Sequence, residues 1–162
     1  MSSQPLARPS VRLLRDPAVF FASGCGVGWI SRMPGTLGSL LAFPLAFLIE
    51  PAGAWVYWLF VVAFVAVGIP LTGRAQARIG IADAPWIVWD EIAGQLIALA
   101  GTPPSLVLWP LGFILFRFFD ILKPGPIRWV DRQGRGGVGM MADDLVAGVC
   151  AGLIVWLLYE VK

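Results

Sequence analysis

Five apolar stretches, separated by short polar connections, dominate the chain: residues 37–49, 54–72, 86–100, 105–119 and 145–159. A membrane-spanning helix needs about 20 apolar residues. Only the second stretch approaches that length alone. The others must borrow flanking residues or sit partly re-entrant. Gly68 and Pro70 are placed to bend the second stretch, and Pro110 the fourth. The pattern predicts an all-α integral membrane helical bundle with four or five membrane-embedded helices, and leaves open whether the first stretch spans. Trp55, Trp86, Trp109 and Trp156 fall near the predicted helix ends, as interfacial anchors do.

Composition agrees with this reading. The 162 residues are 58% hydrophobic and 14% charged, with a mean hydropathy of +0.79. That length suits one domain, taken here as residues 1–162. Residues 1–15 read as a flexible polar arm. The first 19 residues carry Arg8, Arg12 and Arg15 and lack an apolar core with a cleavage site. The internal stretches are therefore expected to direct insertion.

Charge sets the orientation. With five spans, 11 of the 12 basic residues fall on one side, and only Lys162 lies opposite. Cytoplasmic loops carry the excess of Lys and Arg. The N-terminus, the 73–85 connection and the 120–144 connection are therefore expected in the cytoplasm. Seven of the ten acidic residues share that side: Asp83, Asp90, Glu91, Asp120, Asp131, Asp143 and Asp144. Carboxylates near hydrocarbon cost roughly 2.5–3.5 kcal/mol each on insertion scales. Such a gathering implies a partner, and a divalent cation is the natural one.

Several chemistries are excluded. The chain has no histidine, which removes imidazole catalysis and most zinc sites. Cys25 and Cys150 match no metal or redox spacing. Gly24-Cys25-Gly26-Val27-Gly28 lacks the third glycine of a dinucleotide fingerprint. Nothing points to nucleic acid.

Four acidic constellations and one hydroxyl motif carry the candidate chemistry. Asp90 and Glu91 adjoin in Trp89-Asp90-Glu91-Ile92-Ala93-Gly94. Side chains one residue apart on a helix diverge by about 100°, so one partner cannot easily satisfy both. They could simply sit in the first helical turn, but the preceding Trp86 and Ile87 favour a deeper position. Arg117, Asp120 and Lys123 follow at i, i+3 and i+6, able to share a helix face before Pro124. The run Asp131-Arg132-Gln133-Gly134-Arg135-Gly136-Gly137 reads as a loop whose backbone could approach an anion. Asp143-Asp144 precede the last stretch, where either could cap it or bind metal. Thr36 and Ser39, at the start of the first stretch, could cap that helix or contact phosphate. Without histidine, phosphate chemistry is left with carboxylate-bound Mg²⁺, which prefers hard oxygen ligands and bridges to substrate phosphate.

Taken together, Pro34-Gly35-Thr36-x-Gly38-Ser39-Leu40, Trp89-Asp90-Glu91-x-x-Gly94, Arg117-x-x-Asp120-x-x-Lys123-Pro124, Asp131-Arg132 and Gly136-Gly137-x-Gly139-x-Met141-x-Asp143-Asp144 closely resemble the phosphatidylglycerophosphatase A family. The similarity runs from about Asp16 to Gly152. Gly125 departs from it, standing where a bulkier residue is expected. The resemblance implies a Mg²⁺-dependent lipid phosphatase of the bacterial inner membrane, acting at the cytoplasmic face on phosphatidylglycerophosphate among the membrane lipids. Asp90, Glu91, Asp120, Asp143 and Asp144 are then the expected catalytic and metal-binding acids. Thr36, Ser39, Arg117, Lys123, Asp131, Arg132, Gly136 and Gly137 are the expected substrate contacts. Homo-oligomerisation is left open. A CDP-alcohol phosphotransferase is disfavoured, because its Asp-x-x-Asp-Gly array is missing. A small cation channel or transporter is the remaining rival, disfavoured by the one-sided placement of the acids.

Overall fold

The structure is a computed structural model that describes residues 9–81, 83–125, 127–129 and 136–161. These residues contain helices and turns and no strand. A 3₁₀ turn at Val11–Arg15 is followed by α1 (Pro17–Ala22), α2 (Val27–Ile30), α3 (Pro34–Ile49), α4 (Ala54–Ile79), α5 (Trp89–Leu99), α6 (Leu108–Leu122) and α7 (Gly136–Glu160).

Part of the arm expected to be flexible is tied down. Ser10 caps the 3₁₀ turn, and Leu13 and Leu14 pack against a cluster containing Val19, Trp29 and Trp86. Asp16 caps α1 by accepting the Ala18 N–H at 2.9 Å, with Pro17 in the first turn. The same carboxylate meets Arg78 of α4 at 3.1 Å. These contacts fasten α1 and α2 across the end of the bundle.

Three helices are long and apolar enough to cross a membrane: Pro34–Ala52, which includes a terminal 3₁₀ turn, Ala54–Ile79 and Gly136–Glu160. The first apolar stretch thus reaches spanning length by borrowing Pro34 and the turn. At about 1.5 Å per residue, α5 and α6 rise only about 16 and 22 Å, short of the roughly 30 Å hydrocarbon core. The first is held inside the bundle, whereas α6 packs on its outside with Ile114, Phe118 and Ile121 exposed. Eight of the eleven α5 residues are buried, which makes this short helix its axis. Trp55, Leu59, Val62 and Leu157 face outward, as lipid-facing side chains do.

Helix directions follow from the contacts. Gly94 and Ile97–Ala98 of α5 meet Gly148 and Gly152 of α7 in the same order, so these helices run parallel. Trp89 bonds Phe64 and Tyr57 bonds Leu96, so α4 runs against α5. Gly112 and Phe116 meet Ala98 and Gly94, so α6 does too. The N-termini of α3, α5 and α7 therefore share one end of the bundle with the C-termini of α4 and α6.

Close approach explains two glycines. A methyl group at Gly148 would lie 2.3 Å from the Gly94 carbonyl oxygen, and one at Gly137 would lie 1.9 Å from that of Ile69. Gly137 is thus a helix-packing residue, and Gly136 opens α7 with φ +63°. Both lie in the first turn of α7, and residues 130–135 of the glycine-rich run lie outside the described residues. The last helix begins nine residues before the apolar stretch, because small residues let it pack on α4 there. Two tryptophans also differ from expectation. Trp86 is buried against Trp29, and Trp109 is buried with its indole N–H donating to Thr102 O at 3.3 Å, whereas Trp55 and Trp156 are exposed.

Candidate active site

The end of the bundle that gathers three helix N-termini also gathers the acids. Positive helix-dipole ends favour carboxylates and phosphate alike. Asp90 and Glu91 occupy the first turn of α5, since Trp86–Val88 lead in without helix. This corrects the deeper placement expected from the apolar run. They are nevertheless enclosed, because α3, α6 and α7 surround α5. Asp143 and Asp144 lie two turns inside α7 and are buried, so neither caps that helix.

Oxygen atoms of Asp90, Glu91 and Asp144 lie within 4.8 Å of one another. Glu91 Oε2 is buried and accepts no hydrogen bond among the described residues. Hard oxygen donors at this spacing, one of them unsatisfied, fit Mg²⁺. The remaining two acids are arranged differently. Asp120 forms an ion pair with Arg117, one turn back on α6. Asp143 accepts from Lys123 Nζ at 2.5 Å. Lys123 ends α6 in the left-handed region, φ +43°, which turns it out of the α6 face and across to α7. It does not pair with Asp120 as the i, i+3 spacing suggested.

These groups border a cavity of about 160 Å³, lined by Asp90, Glu91, Asp120, Lys123, Asp143 and Asp144 together with Asp83 and Gly139. Such a space takes several water-sized groups. Asp83, exposed with φ +48°, was not singled out by sequence as a site residue. Gly35 was also passed over. A methyl there would lie 2.5 Å from Glu91 Oε1 and 3.1 Å from Arg117 Nη1, so the start of α3 forms the wall behind both side chains. Its place in the Pro34-Gly35-Thr36 motif ahead of the first apolar stretch was the available signal.

Other expected residues are placed elsewhere. Ser39 is fully buried and donates to the Gly35 carbonyl at 2.8 Å, so its hydroxyl caps nothing and is directed back along α3. Thr36 is half-buried on the first turn of α3, whose N-cap is Met33 without a side-chain bond. Gly136 and Gly137 belong to α7 as described above. Asp131 and Arg132 lie outside the described residues.

The sequence matches the profile of the family described as Phosphatidylglycerophosphatase A over residues 20–159. The chain belongs to this family. The Phosphatidylglycerophosphatase A of Escherichia coli K12 is 38% identical over 146 residues, covering 90% of this chain and 85% of that protein. The protein of the same name from Haemophilus influenzae Rd is 39% identical over 145 residues, covering 88% and 89%. A Bacteroides thetaiotaomicron relative, provisionally named a phosphatidylinositol-3-phosphatase, is 35% identical over 145 residues, covering 85% and 90%. No solved structure matches the chain.

Proposed function

We propose that this family member is a Mg²⁺-dependent lipid phosphatase of the bacterial inner membrane. It converts phosphatidylglycerophosphate to phosphatidylglycerol and inorganic phosphate at the cytoplasmic face. The observation that carries this reading is the carboxylate trio of Asp90, Glu91 and Asp144 in one cavity with the ion-paired Lys123, next to the Arg117–Asp120 pair whose Asp120 also lines that cavity. The substrate comes from the names of the Escherichia coli and Haemophilus influenzae relatives. The orientation rests on the basic residues Arg32, Arg74, Arg78 and Arg128, which belong to the acidic end of the bundle.

Asp90, Glu91 and Asp144 would hold the metal. A Mg²⁺ ion held by these residues would supply charge neutralisation for the phosphate and activation of water. Arg117 and Lys123 bind the non-bridging oxygens of the terminal phosphate by charge-assisted hydrogen bonds. Asp120 and Asp143 orient these two cations and offset their charge in a low-dielectric setting. Hydrolysis breaks the bond between phosphorus and the headgroup glycerol oxygen. Water supplies the new oxygen on phosphorus, and the glycerol oxygen leaves as a hydroxyl. The membrane-embedded bundle keeps the lipid's acyl chains in hydrocarbon while its phosphate enters the cavity.

The test is phosphate release by detergent-purified protein from phosphatidylglycerophosphate, phosphatidylinositol 3-phosphate and phosphatidic acid, with Mg²⁺ and with EDTA. Release from the first lipid that EDTA abolishes is expected. Preferential release from phosphatidylinositol 3-phosphate would move the substrate assignment to that headgroup. No release from any lipid by folded protein would overturn the phosphatase reading.

A further inference from the structure

The end of the bundle opposite the acids holds a second cavity, of about 260 Å³. It lies at the 3₁₀ turn Glu50–Ala52 between α3 and α4, where α5 and α7 also finish. Glu50, Tyr57, Trp58, Leu99, Thr102 and Tyr159 line it. Glu50 is half-buried and is the one charged side chain in that lining. It forms no ion pair among the described residues. Lys162 lies outside the described residues.

Both buried hydroxyls of the lining have their protons committed. Tyr57 donates to the Leu96 carbonyl at 2.8 Å, and Thr102 donates to the Leu99 carbonyl at 3.2 Å. A hydroxyl that donates to backbone offers only lone pairs to anything else. The helix ends add to this. Leu99 and Tyr159 belong to the last turns of α5 and α7, which are negative dipole ends. Ala54 opens α4, a positive end, and Glu50 precedes it with a full negative charge. Exposed Trp58 and Tyr159 supply aromatic rings, which attract cations through their faces.

The lining is therefore acceptor-rich and net negative. An anion finds no cationic side chain in it. A divalent metal needs several oxygen ligands, where one carboxylate stands. A primary ammonium fits, since it carries one positive charge and three N–H donors and accepts nothing. The surroundings indicate its source. Trp and Tyr gather at the level of lipid headgroups. Trp58 and Gly101 also line a neighbouring apolar groove of about 270 Å³, together with Ile97, Leu153 and Trp156. Headgroup cavity and apolar groove are thus continuous.

We propose that this end of the bundle binds a membrane lipid with a primary ammonium headgroup. The ammonium pairs with Glu50 and donates to the Tyr57 and Thr102 oxygens, and an acyl chain lies in the groove beside Trp58. The site is remote from the acids and separate from catalysis.

The experiment is native mass spectrometry of the purified full chain titrated with phosphatidylethanolamine, phosphatidylcholine, phosphatidylglycerol and free ethanolamine. Wild type, Glu50→Gln and Lys162→Gln are compared, with phosphate release measured on the same samples. Phosphatidylcholine keeps the charge without N–H donors, and phosphatidylglycerol lacks the cation. A hydrogen bond to a charged group corresponds to about tenfold or more in affinity. Phosphatidylethanolamine is expected to bind wild type at least about tenfold more tightly than the other two lipids, and Glu50→Gln to remove that preference. Phosphate release is expected to be equal in Glu50→Gln and wild type, so this reading and the catalytic one fail separately. Affinities for the three lipids within about twofold of each other on wild type would overturn the proposal without recourse to any variant. So would a preference that survives in Glu50→Gln. Free ethanolamine binding as tightly as the lipid would replace the lipid by a soluble amine. A preference that emerges only in Lys162→Gln would give the cavity to the chain's own ammonium and overturn the lipid site.

Discussion

Replacing Gly35 by alanine isolates the geometry of the site from the stability of the fold. The new methyl would lie 2.5 Å from Glu91 Oε1 and 3.1 and 3.2 Å from the two terminal nitrogens of Arg117, where ordinary contact begins at 3.4 Å. The Glu91 carboxylate must therefore retreat by about 0.9 Å, and the guanidinium by a few tenths of an ångström. Both are ends of flexible side chains, so the backbone need not move. Alanine is also the better helix former, by up to about 1 kcal/mol in a helix interior. Misplacing a catalytic constellation by about 1 Å can cost about 100-fold in rate. That corresponds to roughly 2.7 kcal/mol of transition-state stabilisation. Gly35→Ala is accordingly expected to lower kcat/KM for phosphate release about 100-fold while its thermal midpoint stays at or above wild type. Leu37→Ala, at an exposed position of the same helix, is the control and should retain activity. Gly35→Ala activity within about twofold of wild type would refute the wall assigned to α3.

Further expectations follow from other contacts. Asp143→Asn keeps the shape of the side chain but gives up the charge that holds Lys123. Phosphate release should fall at least about 100-fold with membrane insertion and the thermal midpoint preserved, and near-normal turnover would remove Asp143 from the site. Gly148→Ala places a methyl 2.3 Å from the Gly94 carbonyl oxygen. That contact is with backbone, so α5 and α7 must separate, costing about 1–3 kcal/mol or more. A lowered thermal midpoint in detergent is expected, and an unchanged one would contradict the close crossing. Single cysteines introduced as Arg74→Cys and Pro51→Cys, in a chain lacking Cys25 and Cys150, test orientation. A membrane-impermeant maleimide should label only the first in inverted vesicles and only the second in intact spheroplasts.

The bundle was readable because hydropathy reports burial in lipid directly. Each apolar stretch does contain or adjoin a helix, and the charge asymmetry predicted which ends lie together. What hydropathy could not report is length, since α7 starts in glycines that read as a loop. Those glycines are selected for the approach of α4, a long-range contact with no local signature. The same limit applies to the tryptophans, for Trp86 and Trp109 sit near helix ends but face inward. Within the site, residue type identified the acids and cations, and the fold brings Asp90, Glu91, Asp120, Asp143, Asp144, Arg117 and Lys123 to one end. Pairing was not legible. The i, i+3 spacing offered Asp120 two cations, and the left-handed backbone at Lys123 sends the second to Asp143. Ser39 shows the converse, a hydroxyl in a suggestive motif that is used to bond its own helix.

If Asp90, Glu91 and Asp144 together hold the metal on which phosphate release depends, binding and turnover must be lost together. The direct measurement is Mn²⁺ binding stoichiometry and affinity for wild type, Glu91→Gln and Asp144→Asn, with phosphate release from phosphatidylglycerophosphate recorded on the same samples. Wild type is expected to bind Mn²⁺, and both variants to lose binding and release in parallel. Unchanged Mn²⁺ affinity in either folded variant, or phosphate release that persists in EDTA, would contradict it.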